Sequence, residues 1–461
     1  MKQRNGLSVG FVIILMIFAA SITFVASFIF FKEQTNETIG DLTTKINRFR
    51  KLDDVEKLFT DNYVNSITEN DIIDGIIEGY IWGTGDRYAR YFNEEHYEQM
   101  RSEMNSEYTG LGIDITEDLG HQGVLIRRVR KNSPAEKAGV IAGDVIIKWE
   151  GEDLTEIDYY DAYNKMETKE GSTVNFTVKR LSFDGVNYDE IELEVICSKF
   201  ETVTIHYEML ENQVGYIMID EFNNNTDIQF FDAMNNLRLE NAKGFIFDVR
   251  FNPGGSQAAI INILSGLCPN GPVMHHIYKN DKDGNPITDT IFSDDQNEMT
   301  EPAVVLVNGR SASASELFAA GLLDYKKAFL IGETTYGKGS VQTTITLADK
   351  LSAVNITTSY YAPPYGDIFN GIGLVPLPEH TVRMSKRDTA YFYTLAKEDD
   401  KQLQKAIRVM DQLLSGKVEL EEFVPPITVT VPTIKPTISA EESDYTDVPL
   451  VAKGLNDCLS I

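Results

Sequence analysis

The sequence predicts an α/β multidomain protein: an N-terminal transmembrane helix, a helical segment, a small β-rich domain and a layered α/β core. Three observations carry this. Residues 7–31, LSVGFVIILMIFAASITFVASFIFF, hold no charge. Residues 106–198 break into five short β-like runs around one short helix. From residue 212 onward apolar strands alternate with amphipathic helices, the pattern of α/β layers. At 461 residues the chain exceeds one ordinary domain, and 42% hydrophobic with 10% aromatic residues is enough for real cores.

Residues 1–6 form a cytoplasmic tip and 7–31 an uncleaved anchor, since about 20 apolar residues cross a ~30 Å hydrocarbon core. Lys2 and Arg4 precede the span while Glu33, Glu37 and Asp41 follow it, so the positive-inside rule puts the body on the extracytoplasmic side of the cell membrane. Residues 32–105 read as helical. Leu52, Val55, Leu58 and Phe59 recur at helical spacing, as do Ile72, Ile76, Ile77 and Tyr80, with Asn70 or Asp71 as a cap. GTGDRYARYF then supplies a glycine turn and an aromatic cluster, Tyr88, Tyr91 and Phe92, expected to serve packing or dimerisation.

In the β-rich stretch 106–198 the runs are GLGIDIT, GVLIRRV, DVIIKWEG, TVNFTVKR and IELEVI. Ser133 is the expected N-cap of the helix SPAEKAGV, with Pro134 in its first turn and Glu136 at the capping-box position. The core, 199–385, opens with the strand VGYIMIDEF and a helix whose apolar side carries Phe230, Phe231, Met234 and Leu237. GFIFDVR is a buried strand ended by Asn252-Pro253-Gly254-Gly255; AAIINILSGL is a helix and AVVLVNG another buried strand. Residues 386–420 read as helical, and 421–461, rich in Pro, Thr and acidic residues, as a flexible tail.

A net charge of -28 repels phosphates and excludes nucleic acid as a partner. Cys197, Cys268 and Cys458 are scattered, with no CxxC and no Cys/His ligand spacing, so neither a disulfide framework nor a metal site is expected. No cofactor is expected.

The chemistry gathers in Asn308–Gln342, NGRSASASELFAAGLLDYKKAFLIGETTYGKGSVQ. A serine is a poor nucleophile until a neighbour takes its proton. None of the six histidines stands in a nucleophile-elbow or triad context, and no G-x-S-x-G surrounds Ser313. The helix-and-strand pattern folds Lys338 back toward Ser313, and a buried lysine becomes neutral enough to act as base. Gln342, on the same side of an extended strand, offers an amide oxygen that orients the amine without adding charge. Ser313 and Glu316 also stand at capping-box spacing, which is compatible with catalysis. Gly332-x-x-x-x-Gly337-Lys338 nearly spells a P-loop, but Gly339 replaces the metal-binding hydroxyl and a strand follows where a helix is needed.

Two resemblances sharpen this. Tyr108-Thr109-Gly110-Leu111-Gly112-Ile113 followed by SPAEKAGVIAGDVIIKWEG resembles a PDZ domain. It implies that Gly110, Leu111, Gly112 and Ile113 bind a peptide's C-terminal carboxylate while the peptide adds as a strand. FIFDVRFNPGG, the Asn308–Gln342 stretch and NGIGLVP, in this order, resemble the C-terminal processing (tail-specific) serine peptidases. That likeness spans about residues 45–415 and implies a crotonase/ClpP-like core. It also implies Ser313 as nucleophile, Lys338 as general base, Gln342 as its positioner, and backbone N–H groups of Gly255 and Ala314 as oxyanion hole. Protein or peptide substrates with exposed C-terminal tails follow, and so does a homodimer. Phe251 stands where Asn is usual and Arg310 where a small residue or Lys is common. A catalytically silent PDZ adaptor and a non-peptidase acyl hydrolase on a related core are the other classes this sequence allows.

Overall fold

A computed structural model describes residues 49–424 except 121, 167, 184 and 294–297, together with Leu459–Ser460 and isolated positions before 49. The chain divides into two compact units, Met1–Gly75 and Ile76–Ile461. The expected anchor lies outside the described residues but for isolated helical positions. Among the described residues no helix is long and apolar enough to cross a membrane. Cys458 and most of the expected tail also lie outside them.

Residues 49–62 are helical (α1), and α2 (Glu69–Trp82) follows. The cap of α2 is Thr68, whose hydroxyl accepts from Asp71 N–H at 3.3 Å, in place of the expected Asn70 or Asp71. Ile72, Ile73, Ile76 and Tyr80 of α2 are exposed. The helical reading of 32–105 also needs correction at its end. Arg90–Phe92 is a strand (β1), and only Glu94–Glu103 (α3), capped by Asn93, resumes the helix. The three residues of β1 pair antiparallel with Ala353–Asn355, an alignment set by a strand over 250 positions away and therefore invisible to local periodicity.

The β-rich domain forms as expected. β3 (Ile113–Glu117), β4 (Val124–Val129), β5 (Val145–Trp149), β7 (Thr173–Leu181) and β8 (Tyr188–Ile196) make a sheet in that order, with β6 (Glu152–Asp153) on β5. β2 (Glu107–Gly110) pairs separately with β9 (Ser198–Glu201). Ser133 caps α4 (Pro134–Lys137), accepting from Glu136 N–H at 3.1 Å, and α5 (Tyr159–Lys165) covers the sheet. A short strand, Leu459–Ser460, pairs antiparallel with the free edge of β3, Leu459 opposite Ile115.

The core is built on β10 (Ile205–Leu210), β11 (Val214–Ile219), β12 (Gly244–Asp248), β15 (Ala303–Val307) and β16 (Ala328–Gly332), parallel from β11 onward. Both faces of the parallel strands β11, β12, β15 and β16 are covered, so these are almost wholly apolar, whereas the edge strand β10 exposes His206 and Tyr207. Alternation still sorts the parallel strands. Phe245 and Phe247 of β12 face α6 (Thr226–Leu239), α7 (Gln257–Leu267) and α8 (Ala314–Asp324). Ile246 faces Leu403, Ala406, Val409 and Met410 of α10 (Lys401–Leu414). Helix α10 is thus the second layer of the core and not a separate segment. It is reached through α9 (Lys386–Ala390) and a 3-10 turn, so the 386–420 helix is interrupted. A second sheet holds β1, β18 (Ala353–Ala362), β13 (Pro272–Tyr278) and β14 (Ile287–Phe292), with β17 (Ser340–Thr346) on β18.

Candidate active site

Three loops leave the carboxyl ends of β12, β15 and β16, the position where open α/β sheets build sites. They carry Asn252–Gly255, Asn308–Ser313 and Glu333–Gly339. Gly254 and Gly255 both have positive φ, 103° and 136°. A Cβ on Gly255 would lie 2.1 Å from the Phe222 carbonyl oxygen, and one on Gly254 would lie 2.7 Å from Ser313 Cβ. Only glycine lets this turn approach the serine. Asn252 fixes the turn by donating to Ile219 O at 2.8 Å and accepting from Gly254 N–H at 2.9 Å. That bond takes up the Gly254 donor; Gly255, and Ala314 at the first position of α8, are the two positions expected to hold an oxyanion.

Ser313 itself has φ 57° and ψ -116°, a conformation that costs a non-glycine residue about 1–3 kcal/mol and that marks functional sites. Its surroundings hold it there. Ser313 N–H donates to Glu316 Oε2 at 3.0 Å, and Tyr361 Oη donates to Ser313 O at 2.8 Å. Both partners also hold Lys338. Its N–H donates to Glu316 Oε2 at 2.7 Å, and its carbonyl, 2.7 Å from Tyr361 Oη, shares that hydroxyl's single proton with Ser313 O. One carboxylate and one phenol therefore bring together two residues that lie twenty-five positions apart. Gly337 N–H and the Thr335 hydroxyl complete the Glu316 shell.

Burial pushes the Lys338 amine down to about 8, the nearby Arg90 charge pushes the same way, and Glu316 opposes both. Burial likewise raises the Glu316 carboxyl, against the hydrogen bonds from Thr335, Gly337, Lys338 and Ser313. The lysine loop is packed on residues 370–373, where Gly339 N–H donates to Asn370 Oδ1 at 3.0 Å and Gly371 N–H to Gly337 O at 2.8 Å. This explains why NGIGLVP accompanies the lysine motif in the sequence.

The sequence pattern sets Lys338, Ser340 and Gln342 on one side of an extended strand; Ser340 and Gln342 do lie together, but β17 begins at Ser340, leaving Lys338 before it, and a bulge between Val341 and Gln342 breaks the simple alternation. The Gln342 amide N–H groups donate to Ser340 Oγ at 2.9 Å and Thr357 Oγ1 at 3.1 Å. No helix follows Gly337-Lys338, in keeping with the rejected P-loop. His275 and His276 are satisfied core residues, bonded to Thr290 and Pro364 O and to Ser359 and Gln257 respectively. In the β-rich domain Gly110 sits in β2, Leu111 is fully buried, and Ile113 opens β3. Gly112 has φ 80°, where a Cβ would strike Ser133.

In the sequence Glu316 reads only as a capping-box partner of Ser313, and nothing singles out Tyr361. Tyr88 reads as packing, whereas the structure sets its ring 5.2 Å from Lys338 Nζ. The position of Glu316 was a weak signal; nothing local marks Tyr361, which arrives from another sheet.

This fold and site define a PDZ-bearing, serine-type endopeptidase. Residues 213–377 match the sequence profile of Peptidase family S41, and residues 107–196 that of a PDZ domain. The chain is 30% identical over 344 residues to the carboxy-terminal processing protease CtpA of Bacillus subtilis, with 74% of this chain and 70% of that protein covered. It is 29% identical over 318 residues to the carboxy-terminal-processing protease of Bartonella bacilliformis, with coverages of 68% and 70%. A structure assigned to the S41 proteases of Bacteroides fragilis shares the fold, with TM-score 0.54 and 17% identity over 78% of this chain and 92% of that one. The chain belongs to peptidase family S41, the C-terminal processing serine peptidases.

Proposed function

We propose that this chain is a membrane-anchored endopeptidase whose catalytic body lies on the extracytoplasmic side and whose PDZ domain presents C-terminal tails of protein substrates to a Ser313–Lys338–Gln342 site. The observation that carries the mechanism is the shared clamp: Glu316 and Tyr361 each bond both Ser313 and Lys338. Ser313 Oγ attacks the scissile carbonyl while neutral Lys338 accepts its proton and then returns it to the leaving amine. Gly255 and Ala314 N–H groups hold the oxyanion, each such donor commonly giving about 3 kcal/mol in acyl transfer. The added strand on the edge of β3 supports the tail-binding reading, since the same edge is where a peptide would pair. The anchor rests on the uncharged run 7–31 and the flanking charges. The exposed apolar side chains of α2 support a homodimer.

Full-length chain in detergent, incubated with peptides bearing apolar C-termini, is expected to cut them. Ser313→Ala and Lys338→Ala should each lower turnover by at least about 10³-fold. Wild-type turnover by Lys338→Ala would rule out this mechanism.

A further inference from the structure

The turn between α2 and β1 reaches the site from outside the core. Asp86 Oδ2 and Oδ1 accept from the Thr357 N–H and hydroxyl, both at 3.0 Å. Thr357 Oγ1 in turn accepts from the Gln342 amide at 3.1 Å. Arg87 donates to Tyr336 Oη at 3.1 Å, with its guanidinium 5.1 Å from the Tyr88 ring centroid. Tyr88, half-buried, lays its ring 5.2 Å from Lys338 Nζ, and its N–H is held by Asp86 at 3.0 Å. β1 then fixes the far end of the turn, with Arg90 opposite Asn355.

We propose that the turn Gly85–Arg90 is a wall of the catalytic site in which Tyr88 is a positioning residue that shields the Lys338 amine from water, while Asp86 sets Gln342 through Thr357. The proposal rests on Lys338 being the base.

The charged and titratable groups around Lys338 are Arg87, Tyr88 and Arg90 on the turn and β1, Glu316 on α8, Tyr336 beside the lysine, and Tyr361 on β18. Glu316 favours the ammonium, and so does the face of an aromatic ring. Loss of water and the Arg90 charge favour the free amine, and these prevail. Removing the ring therefore admits water and restores the ammonium. A neutral base is needed, so activity falls as pH drops through the lysine's titration, and the acid limb must move to higher pH when the wall is opened.

The test is the pH dependence of kcat/KM on an apolar-tailed peptide, measured on full-length chain. Tyr88→Ala is expected to shift the acid limb upward by about half a pH unit or more, so that activity falls about threefold at pH 7 and recovers at pH 10. Tyr88→Phe, which keeps the ring, should return the limb to its wild-type position. Arg90→Gln should shift it upward as well, and serves if Tyr88→Ala fails to fold. Thr357→Val, which removes the hydroxyl between Asp86 and Gln342 but leaves Asp86 on the Tyr88 N–H, should lower kcat at every pH without moving the limb. An unmoved limb in both Tyr88→Ala and Arg90→Gln, or a loss in Tyr88→Ala that is uniform across pH, would overturn the proposal. Retained activity in Lys338→Ala would instead remove the mechanism on which it rests.

Discussion

At the scale of single residues, Glu316 does more than end a helix. Its buried carboxylate accepts from Ser313, Thr335, Gly337 and Lys338, so it joins the Ser313 turn to the Lys338 loop. Glu316→Gln replaces one acceptor oxygen by an NH2 facing N–H donors. Leaving buried donors unsatisfied costs about 1–3 kcal/mol each, so the variant should lose about 2–4 kcal/mol in chemical denaturation and most of its turnover. That the Ser313 and Lys338 segments meet is an expectation carried by two contiguous motifs, Ser-Ala-Ser-Glu and Gly-Lys-Gly-Ser, and the structure does bring the two segments together. The places of Tyr361 and Tyr88 were not legible in the sequence. Tyr361 stands 48 residues from Ser313, and Asp86 stands 271 residues from Thr357. Such pairings depend on which strands share a sheet, and no local period encodes that.

At the scale of elements, the alternation of apolar strands and helices was enough to give the parallel core, since both faces of its sheet are dry. What it did not give is how β12 is tied to α10. Arg250 is fully buried and bonds Asp248 at 2.5 Å, Asp400 at 2.8 Å and Gln402 at 3.0 Å. The guanidinium thus links the end of β12, two residues before the Asn252–Gly255 turn, to the N-cap of α10. Removing it strands two buried carboxylates, and Arg250→Ala is expected to cost about 3–5 kcal/mol in urea-induced unfolding. A loss below about 1 kcal/mol would mean that water replaces the arginine. The sequence shows Arg250 ending the buried strand GFIFDVR but hides its partners, because Asp400 and Gln402 lie 150 and 152 positions away.

At the scale of the whole molecule, the PDZ domain and the core are joined through charge. Arg128 of β4 pairs with Asp220 at 3.1 Å and Arg130 with Glu221 at 2.8 Å, just before Phe222, whose carbonyl accepts from Ser256 N–H beside the Asn252–Gly255 turn. Arg127 lays its guanidinium 4.6 Å from the Phe251 ring. Phe251 departs from the usual Asn at a position with φ 63°, and Phe392 packs on its ring at 4.6 Å. The two domains should therefore melt in one calorimetric transition. Arg128→Ala combined with Arg130→Ala should split it into two, whereas a single unchanged transition would show that apolar packing alone holds the interface.

The claim at the centre is that Ser313 is a nucleophile made reactive by Lys338. It is tested most directly by treating the folded chain with a fluorophosphonate and locating the adduct by peptide mass spectrometry. One adduct on Ser313, formed more slowly by at least about 10²-fold in Lys338→Ala, is the expected result. An adduct on another residue, or equal labelling rates with and without Lys338, would contradict it.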